Sequence, residues 1–457
     1  MDLEADIVVI GGGMAGLVAG IRATEEGMKT VLLRKGQSAT AYSSGAIDII
    51  GYLPGGTMPL GSPVEGLQGI ASMFPLHPYG LLGFTDAEPN TVLKTIIEKV
   101  RTAVSWLKAT LLSSNIPLFG DIDSNLDAVT VLGTVKPTCM IQETMWPGSL
   151  MLDADGVALF AGVRGLPVFN PRMAAQVFLE HQISRKLPPR KAGHHVLDLA
   201  PFGNNYNISS IEIARYLDNE DNLSVLARKL KKQVKRIGAT HIALPPVLGF
   251  NRARENQLAL QDLTGAYVFE LLSFPPSVPG LRLQRGLETA FVKGGGTLLV
   301  GHHAKMNSLK SNIVKEVTAV GPRRNLKIST KALVLATGKF IGGGITGTEN
   351  GIRESVFDLM TVSESFRIAT STTPQKLTNT IALSRIGHPL FGSGLSVDPQ
   401  FRPITGEEVH AAENLYAAGS VLAGYNYPTE KSGLGVAIVT GYMASRNAVD
   451  YVKGVSA

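Results

Sequence analysis

The sequence predicts an α/β protein: a Rossmann-like nucleotide-binding domain interrupted by an inserted α/β cap domain. Three observations carry this prediction. A strand, glycine turn, helix and strand open the chain; a buried strand ending in Ala-Thr-Gly appears late; and a glycine-led helix closes it. Between the first and second of these, strands and helices alternate over a long stretch with no nucleotide fingerprint of its own.

The opening unit runs from Asp6 to about Gly36, DIVVIGGGMAGLVAGIRATEEGMKTVLLRKG. Ile7 to Ile10 are all apolar, as a strand buried on both faces requires. They lead into Gly11-x-Gly13-x-x-Gly16, an Ala/Leu/Val-rich stretch to about Glu26 and a second apolar run, Thr30 to Leu33. A lone glycine fingerprint is weak. Flanked by strand and helix, it predicts a βαβ unit holding a nucleotide phosphate at a helix N-terminus, with Gly11, Gly13 and Gly16 approaching that phosphate. The second strand ends in Arg34-Lys35, where such units usually carry an acid for the adenosine ribose. Either the ligand has no adenosine ribose there, or it carries a phosphate that Arg34 would pair with.

At 457 residues the chain predicts two or three domains. Hydrophobic residues at 44% against 18% charged suit a well-buried α/β protein rather than a disordered one. The net charge is +6, yet basic residues cluster only at Arg228 to Arg236, with few aromatics to stack bases. That run is predicted to be the solvated face of a helix, and no nucleic-acid partner is expected. Cys139 is the only cysteine, which excludes an internal disulfide, an iron–sulfur cluster held by this chain alone and a cysteine-based zinc site. His194–His195 and His302–His303 are adjacent pairs that diverge on any regular element, so no metal site is predicted. The start, MDLEAD, lacks the features of a secretion signal, and no apolar run reaches the roughly 18 residues that span a bilayer. A cytoplasmic protein is expected, peripheral on the inner face of the cell membrane only through a partner subunit.

Beyond the opening unit, GQSATAYSSGAIDIIGYLP sets Ser43, Ser44 and Gly45 just past the second strand. Such a loop either runs beside a cofactor, donating hydrogen bonds to a phosphate or ring edge, or is a serine-rich surface turn. A Pro/Gly-rich stretch to Pro89 reads as the exit from the first domain. In the insertion, Thr91 to Leu112 has helical spacing. Apolar runs at Asp155 to Gly165, His195 to Leu199 and His241 to Leu244 alternate with helical stretches at Met173 to Ile183, Ile208 to Leu217 and Asn222 to Val234. That alternation predicts a small parallel sheet. Pro279 to Gly301 reads as helix, glycine stop and strand, returning the chain to the first sheet. Lys331 to Gly338, KALVLATG, is a buried strand whose small end lets the backbone pass close to a flat ligand, framed by Thr337 and Gly338. The predicted division is 1–89, 279–345 and 401–457 for the nucleotide-binding domain, 90–278 for the insertion and 346–400 for a substrate-side segment.

The tail supplies a short strand, Asn414 to Ala417, ending at Gly419-Ser420, then a loop and a helix opened by Ser432-Gly433. Taken alone, this is a glycine-rich helix start whose positive end either meets a ligand or meets none. Ser432, Gly433 and Gly435 are predicted to frame a bound ring, with Gly419 and Ser420 close to it.

The three motifs in this order resemble those of the two-dinucleotide-binding-domain flavoproteins, whose core is a Rossmann-like FAD/NAD(P)-binding domain, and among them the fumarate reductase-like branch. Longer strings are more specific. RKGQSATAYSSGAIDIIGYLP, IARYLDNEDN, FPPSVPGLRLQ, NGIRESVFDL and ENLYAAGSVLAGY fall between residues 34 and 425. They are similar to the B subunits of anaerobic glycerol-3-phosphate dehydrogenases. That resemblance implies a flavin-containing subunit acting with an FAD-bearing A subunit and an iron–sulfur C subunit. It implies oxidation of sn-glycerol 3-phosphate to dihydroxyacetone phosphate, with electrons passed towards the membrane quinone pool. It also implies FMN, in keeping with the missing acid at Arg34, with FAD as the alternative. Gly419-Ser420 is a second departure, since the broader class usually has Asp or Glu after that glycine.

His388, Arg402 and Arg353 lie where fumarate reductase-like relatives carry substrate-side loops, which makes them the catalytic candidates. An Arg would clamp a phosphate and the His would take the hydroxyl proton; the competing reading is ordinary surface and core polar residues. Three other functions stay open: a stand-alone flavin oxidoreductase on another small substrate, a flavin-free structural subunit, and an RNA-modifying flavoprotein.

Overall fold

A computed structural model describes residues 3–84, 89–185, 187, 191–203, 205–305, 312–348, 351–363, 377–405 and 409–454. Its first sheet has seven strands. The parallel part runs in the order Thr297–Val300, Thr30–Arg34, Leu3–Ile10, Asn325–Leu335 and Leu415–Ala417. Antiparallel Glu316–Val320 and His303–Lys305 extend it from the other half of Asn325–Leu335. The register levels the strand ends: Ile10 lies beside Leu33 and Leu335, and Leu335 beside Ala417. Four carboxyl ends therefore reach one edge, where open α/β sheets bind ligands.

Ile7 to Ile10 are each at most 4% exposed because helices cover both faces. Met14–Glu25 is apolar on nearly every side, as a helix packed between Gly433–Lys453 and Val278–Lys293 must be. Its entry turn requires glycine. Gly11 takes φ +117°, and a Cβ there would come within 2.1 Å of the Ala336 carbonyl oxygen.

The second sheet is parallel throughout, in the order Tyr267–Glu270, His241–Leu244, Val157–Val163 and Lys191–Leu197. Pro171–Ser184, Glu220–Ile237 and Ala253–Thr264 are among its connecting helices. The buried residues of its core run from Val129 to Leu271. The basic run lies on Glu220–Ile237, which turns Leu223, Leu226, Leu230 and Val234 inward and leaves its Lys and Arg side chains exposed. Asn219 caps that helix and left-handed Gly238 ends it.

One assignment differs from expectation. The helical segment grouped with the insertion, Pro89–Ser113, packs into the first core through Ile96, Val100, Val104, Leu107 and Leu111. Helical spacing reveals an apolar face but not the surface that covers it. Among the described residues, no helix is long and apolar enough to cross a membrane.

Candidate functional site

The first turn, the Ala-Thr-Gly strand end and the last helix meet at that sheet edge. Ala336 N donates to Ile10 O at 2.8 Å, which sets Thr337 beside Gly11. Ser420 Oγ stands 3.6 Å from the place a Cβ on Gly338 would take. Gly419 N donates to Thr440 Oγ1 of the last helix at 2.9 Å. Gly435 N donates to Asp48 O at 3.1 Å, joining the start of that helix to the loop just past Gly45. The serine loop closes the ring of elements: Thr40 Oγ1 accepts the Met14 amide at 2.8 Å, capping the first helix beside Gly13, while Gly280 lies beneath the Ser43 carbonyl. Contacts thus join Gly11, Gly16, Thr337, Gly338, Gly419 and Ser420 at this edge, set Gly13 against Thr40, and tie Gly435 to the loop that follows Ser43, Ser44 and Gly45.

Four polar atoms there are buried with no hydrogen-bond partner among the described residues: Ser43 Oγ, Thr337 Oγ1, Tyr425 OH and Asn426 Oδ1. Buried polar groups are normally satisfied, so this set fits a ligand with donors and acceptors of its own. Small residues and two helix N-termini suit a flat ring carrying a phosphate. The ring and phosphate of a flavin fit these residues.

Arg34 is placed differently. Its stem folds across Gly12 and its Nη1 pairs with Glu288 Oε1 of helix Val278–Lys293. The guanidinium therefore already meets a carboxylate instead of standing free for a phosphate.

The loop before the last helix is held from inside. Buried Glu430 accepts from Asn426 N at 2.6 Å and Ser432 Oγ at 3.1 Å, and faces His77 Nε2 at 3.2 Å. His77 Nδ1 accepts the Tyr79 amide at 3.0 Å, which assigns the ring proton to Nε2, donating to Glu430. Lys339, 3% exposed, donates to Phe391 O, with Nζ 5.5 Å from the Tyr425 ring and 5.8 Å from Tyr427. Burial, with Glu430 adding to it, pushes the Tyr425 hydroxyl well above the ordinary tyrosine range. Sequence reasoning missed these residues. Lys339 directly follows the Ala-Thr-Gly turn, which is a readable signal; His77 and Glu430 lie 353 positions apart, and no spacing connects them.

The three catalytic candidates are each engaged locally. His388 Nδ1 accepts the Asn379 amide at 2.9 Å and its Nε2 donates to Ala382 O at 3.0 Å, so both ring nitrogens are used. Arg402 pairs with Asp398, which also accepts from His410 at 3.0 Å. Arg353 pairs with Asp358 and donates to its carbonyl. Among the described residues, these bonds hold local turns and engage the side chains of all three candidates.

Residues 6–436 match the model of the family described as FAD binding domain. A protein of Aliivibrio fischeri, named as the B subunit of anaerobic glycerol-3-phosphate dehydrogenase, is 29% identical over 99% of this chain and 96% of its own length. One of the same name from Vibrio cholerae is 28% identical, over 97% and 96%. Another from Pectobacterium atrosepticum is 30% identical, over 96% and 97%. The chain belongs to the FAD-binding-domain family of flavin oxidoreductases and, within it, to the family of anaerobic glycerol-3-phosphate dehydrogenase B subunits.

Proposed function

We propose that this chain is the flavin-carrying B subunit of a quinone-linked glycerol-3-phosphate dehydrogenase complex. It works with an FAD-bearing A subunit and an iron–sulfur C subunit, on the inner face of the cell membrane. The complex oxidises sn-glycerol 3-phosphate to dihydroxyacetone phosphate and passes electrons towards the quinone pool. The observation that carries this reading is collinearity with relatives of that name over nearly the whole of both chains.

A bound flavin supplies acceptance of a hydride from carbon and release of electrons one at a time, chemistry no side chain performs alone. This chain's residues hold and tune it. The Gly13 amide and the Thr40 hydroxyl, which caps the first helix through the Met14 amide, would receive the phosphate. Thr337, Gly338, Ser420 and Ser43 would line the ring. The helix opened by Gly433 would favour, through its positive end, the negative charge of a reduced flavin, and His77 and Glu430 hold the Ser432 loop that precedes it. The cofactor is read as FMN, because Arg34 replaces the usual ribose acid.

Two measurements test this. Mass spectrometry of the chromophore released from purified protein is expected to give FMN. Recovery of FAD would correct the cofactor while leaving the redox role, and a colourless, folded protein would indicate the flavin-free structural subunit. Glycerol 3-phosphate is then expected to bleach the flavin spectrum in the reconstituted complex; an unbleached flavin there would refute the substrate.

A further inference from the structure

We propose that the cavity between helices Ser210–Leu217 and Val278–Lys293 is a second ligand site. It takes a small phosphate monoester whose anionic head meets Arg215 and Arg285 and whose body lies on Phe250. The site stands at the second sheet, apart from the glycine turns of the first, and does not depend on the flavin reading.

The second sheet grows in two directions from Val157–Val163. Lys191–Leu197 pairs on one side, and His241–Leu244, the next strand along the chain, on the other. Open α/β sheets take ligands at the carboxyl ends of strands beside such a reversal. The segments leaving the two flanking strands supply this cavity: helix Ser210–Leu217 follows the first and brings Ile211 and Arg215, and the turn after the second brings Phe250. Leu281 and Arg285 close it from the helix that packs into the first core. Arg282 fixes the turn beneath by donating to Gly249 O at 2.7 Å. The volume, about 390 Å³, is that of a small-molecule site.

Two cations share one aromatic wall here. The guanidinium carbons of Arg215 and Arg285 lie 6.0 and 5.6 Å from the centre of the Phe250 ring. Among the described residues neither arginine makes an ion pair or a hydrogen bond. The neighbouring acids are committed elsewhere. Asp218, which also lines the cavity, accepts the Phe250 and Arg252 amides at 3.3 Å and the Asn251 amide at 3.1 Å. Glu212 accepts the Ser209 amide at 2.8 Å, Glu220 pairs with Arg252, and Glu288 pairs with Arg34. Two guanidinium forks without a carboxylate, beside an apolar wall of Ile211, Phe250 and Leu281, suit a dianionic phosphate carrying a flat or apolar body. A ligand held by both would bridge the two units, because Ser210–Leu217 packs into the second core and Val278–Lys293 into the first.

Calorimetric titration of the purified protein with phenyl phosphate and, separately, inorganic phosphate tests the site. Phenyl phosphate is expected to saturate one site and to bind about tenfold more tightly than inorganic phosphate. R215A/R285A, which removes both forks, is expected to weaken both probes by about tenfold or more. F250A is expected to remove the advantage of the phenyl ester while leaving inorganic phosphate bound. Both arginines are exposed, so the double variant is expected to fold; R285A alone, read by the same loss, serves if it does not. No saturable binding, or affinities unchanged in a folded arginine variant, would overturn the site. Equal affinities of wild-type protein for the two probes would overturn the role given to Phe250.

Discussion

At Glu354 the carboxyl is fully buried, and its two oxygens accept the Val356 and Phe357 amides at 2.7 Å each. Burial outweighs those donors and pushes its pKa up to about 7. An acid raised above its unfolded value contributes stability below the unfolded pKa and loses it as pH rises through the folded one. Between pH 4.5 and about 7 the fold should therefore weaken, by at most roughly 3 kcal/mol for a shift of this size. Glu354→Gln should flatten that dependence. It should also lower stability at pH 5 by about 1–3 kcal/mol, since its amide sets an N–H against a backbone donor. Urea midpoints at pH 5 and pH 8 measure both; equal losses in wild type and variant would exclude Glu354 as the cause. Residue chemistry is the level the sequence conveyed least. The segment containing Glu354 is visible as a string, but its inward aim depends on the hairpin of Ile345–Thr348 and Gly351–Glu354. For Arg402 and Arg353 the signal was available: Asp398 lies four residues before the first and Asp358 five after the second, within reach of a local pair.

The elements that build the site depend on one close helix crossing. Gly441 of Gly433–Lys453 rests on Ala15 of Met14–Glu25, where an added Cβ would stand 2.5 Å from the Ala15 carbonyl oxygen. Ser445 Oγ donates to Ala19 O at 2.7 Å one turn on, and Thr440 receives the Gly419 amide. Because both helices start at the site, prising them apart displaces both N-termini. Gly441→Ala should cost about 1–3 kcal/mol by overpacking and should shed flavin on gel filtration, read as a lower visible-to-ultraviolet absorbance ratio. A variant with unchanged melting temperature and full colour would contradict this. Elements were the most legible level, because each of the three carries a glycine turn next to an apolar run of the right period. Their company was less so. Pro89–Ser113 announces a helix but not that its covering surface is the first core, which only the folded chain brings to it.

Over the whole molecule, two cores meet across a buried ion pair. Arg282 of Val278–Lys293 grips Glu270 of Tyr267–Glu270 with two bonds, 2.5 and 2.9 Å, both side chains at most 2% exposed. Its Nε holds Gly249 O at 2.7 Å, and Leu248 N donates to Glu270 at 2.8 Å. The strand belongs to the second sheet, whereas the helix packs on Met14–Glu25 and the strand Thr297–Val300 of the first. The pair therefore couples the two units at the point where the chain re-enters the first sheet. Removing one partner strands the other charge in a dry seam, a loss of about 3–5 kcal/mol, whereas replacing both by apolar side chains of similar volume is often close to neutral. Arg282→Met should accordingly split calorimetric unfolding into two steps, the four-stranded unit melting first. The double change to Arg282→Met with Glu270→Leu should restore most of the wild-type melting temperature. A single wild-type transition in Arg282→Met would show that apolar packing alone couples the cores, and that the ion pair at the seam is incidental to it.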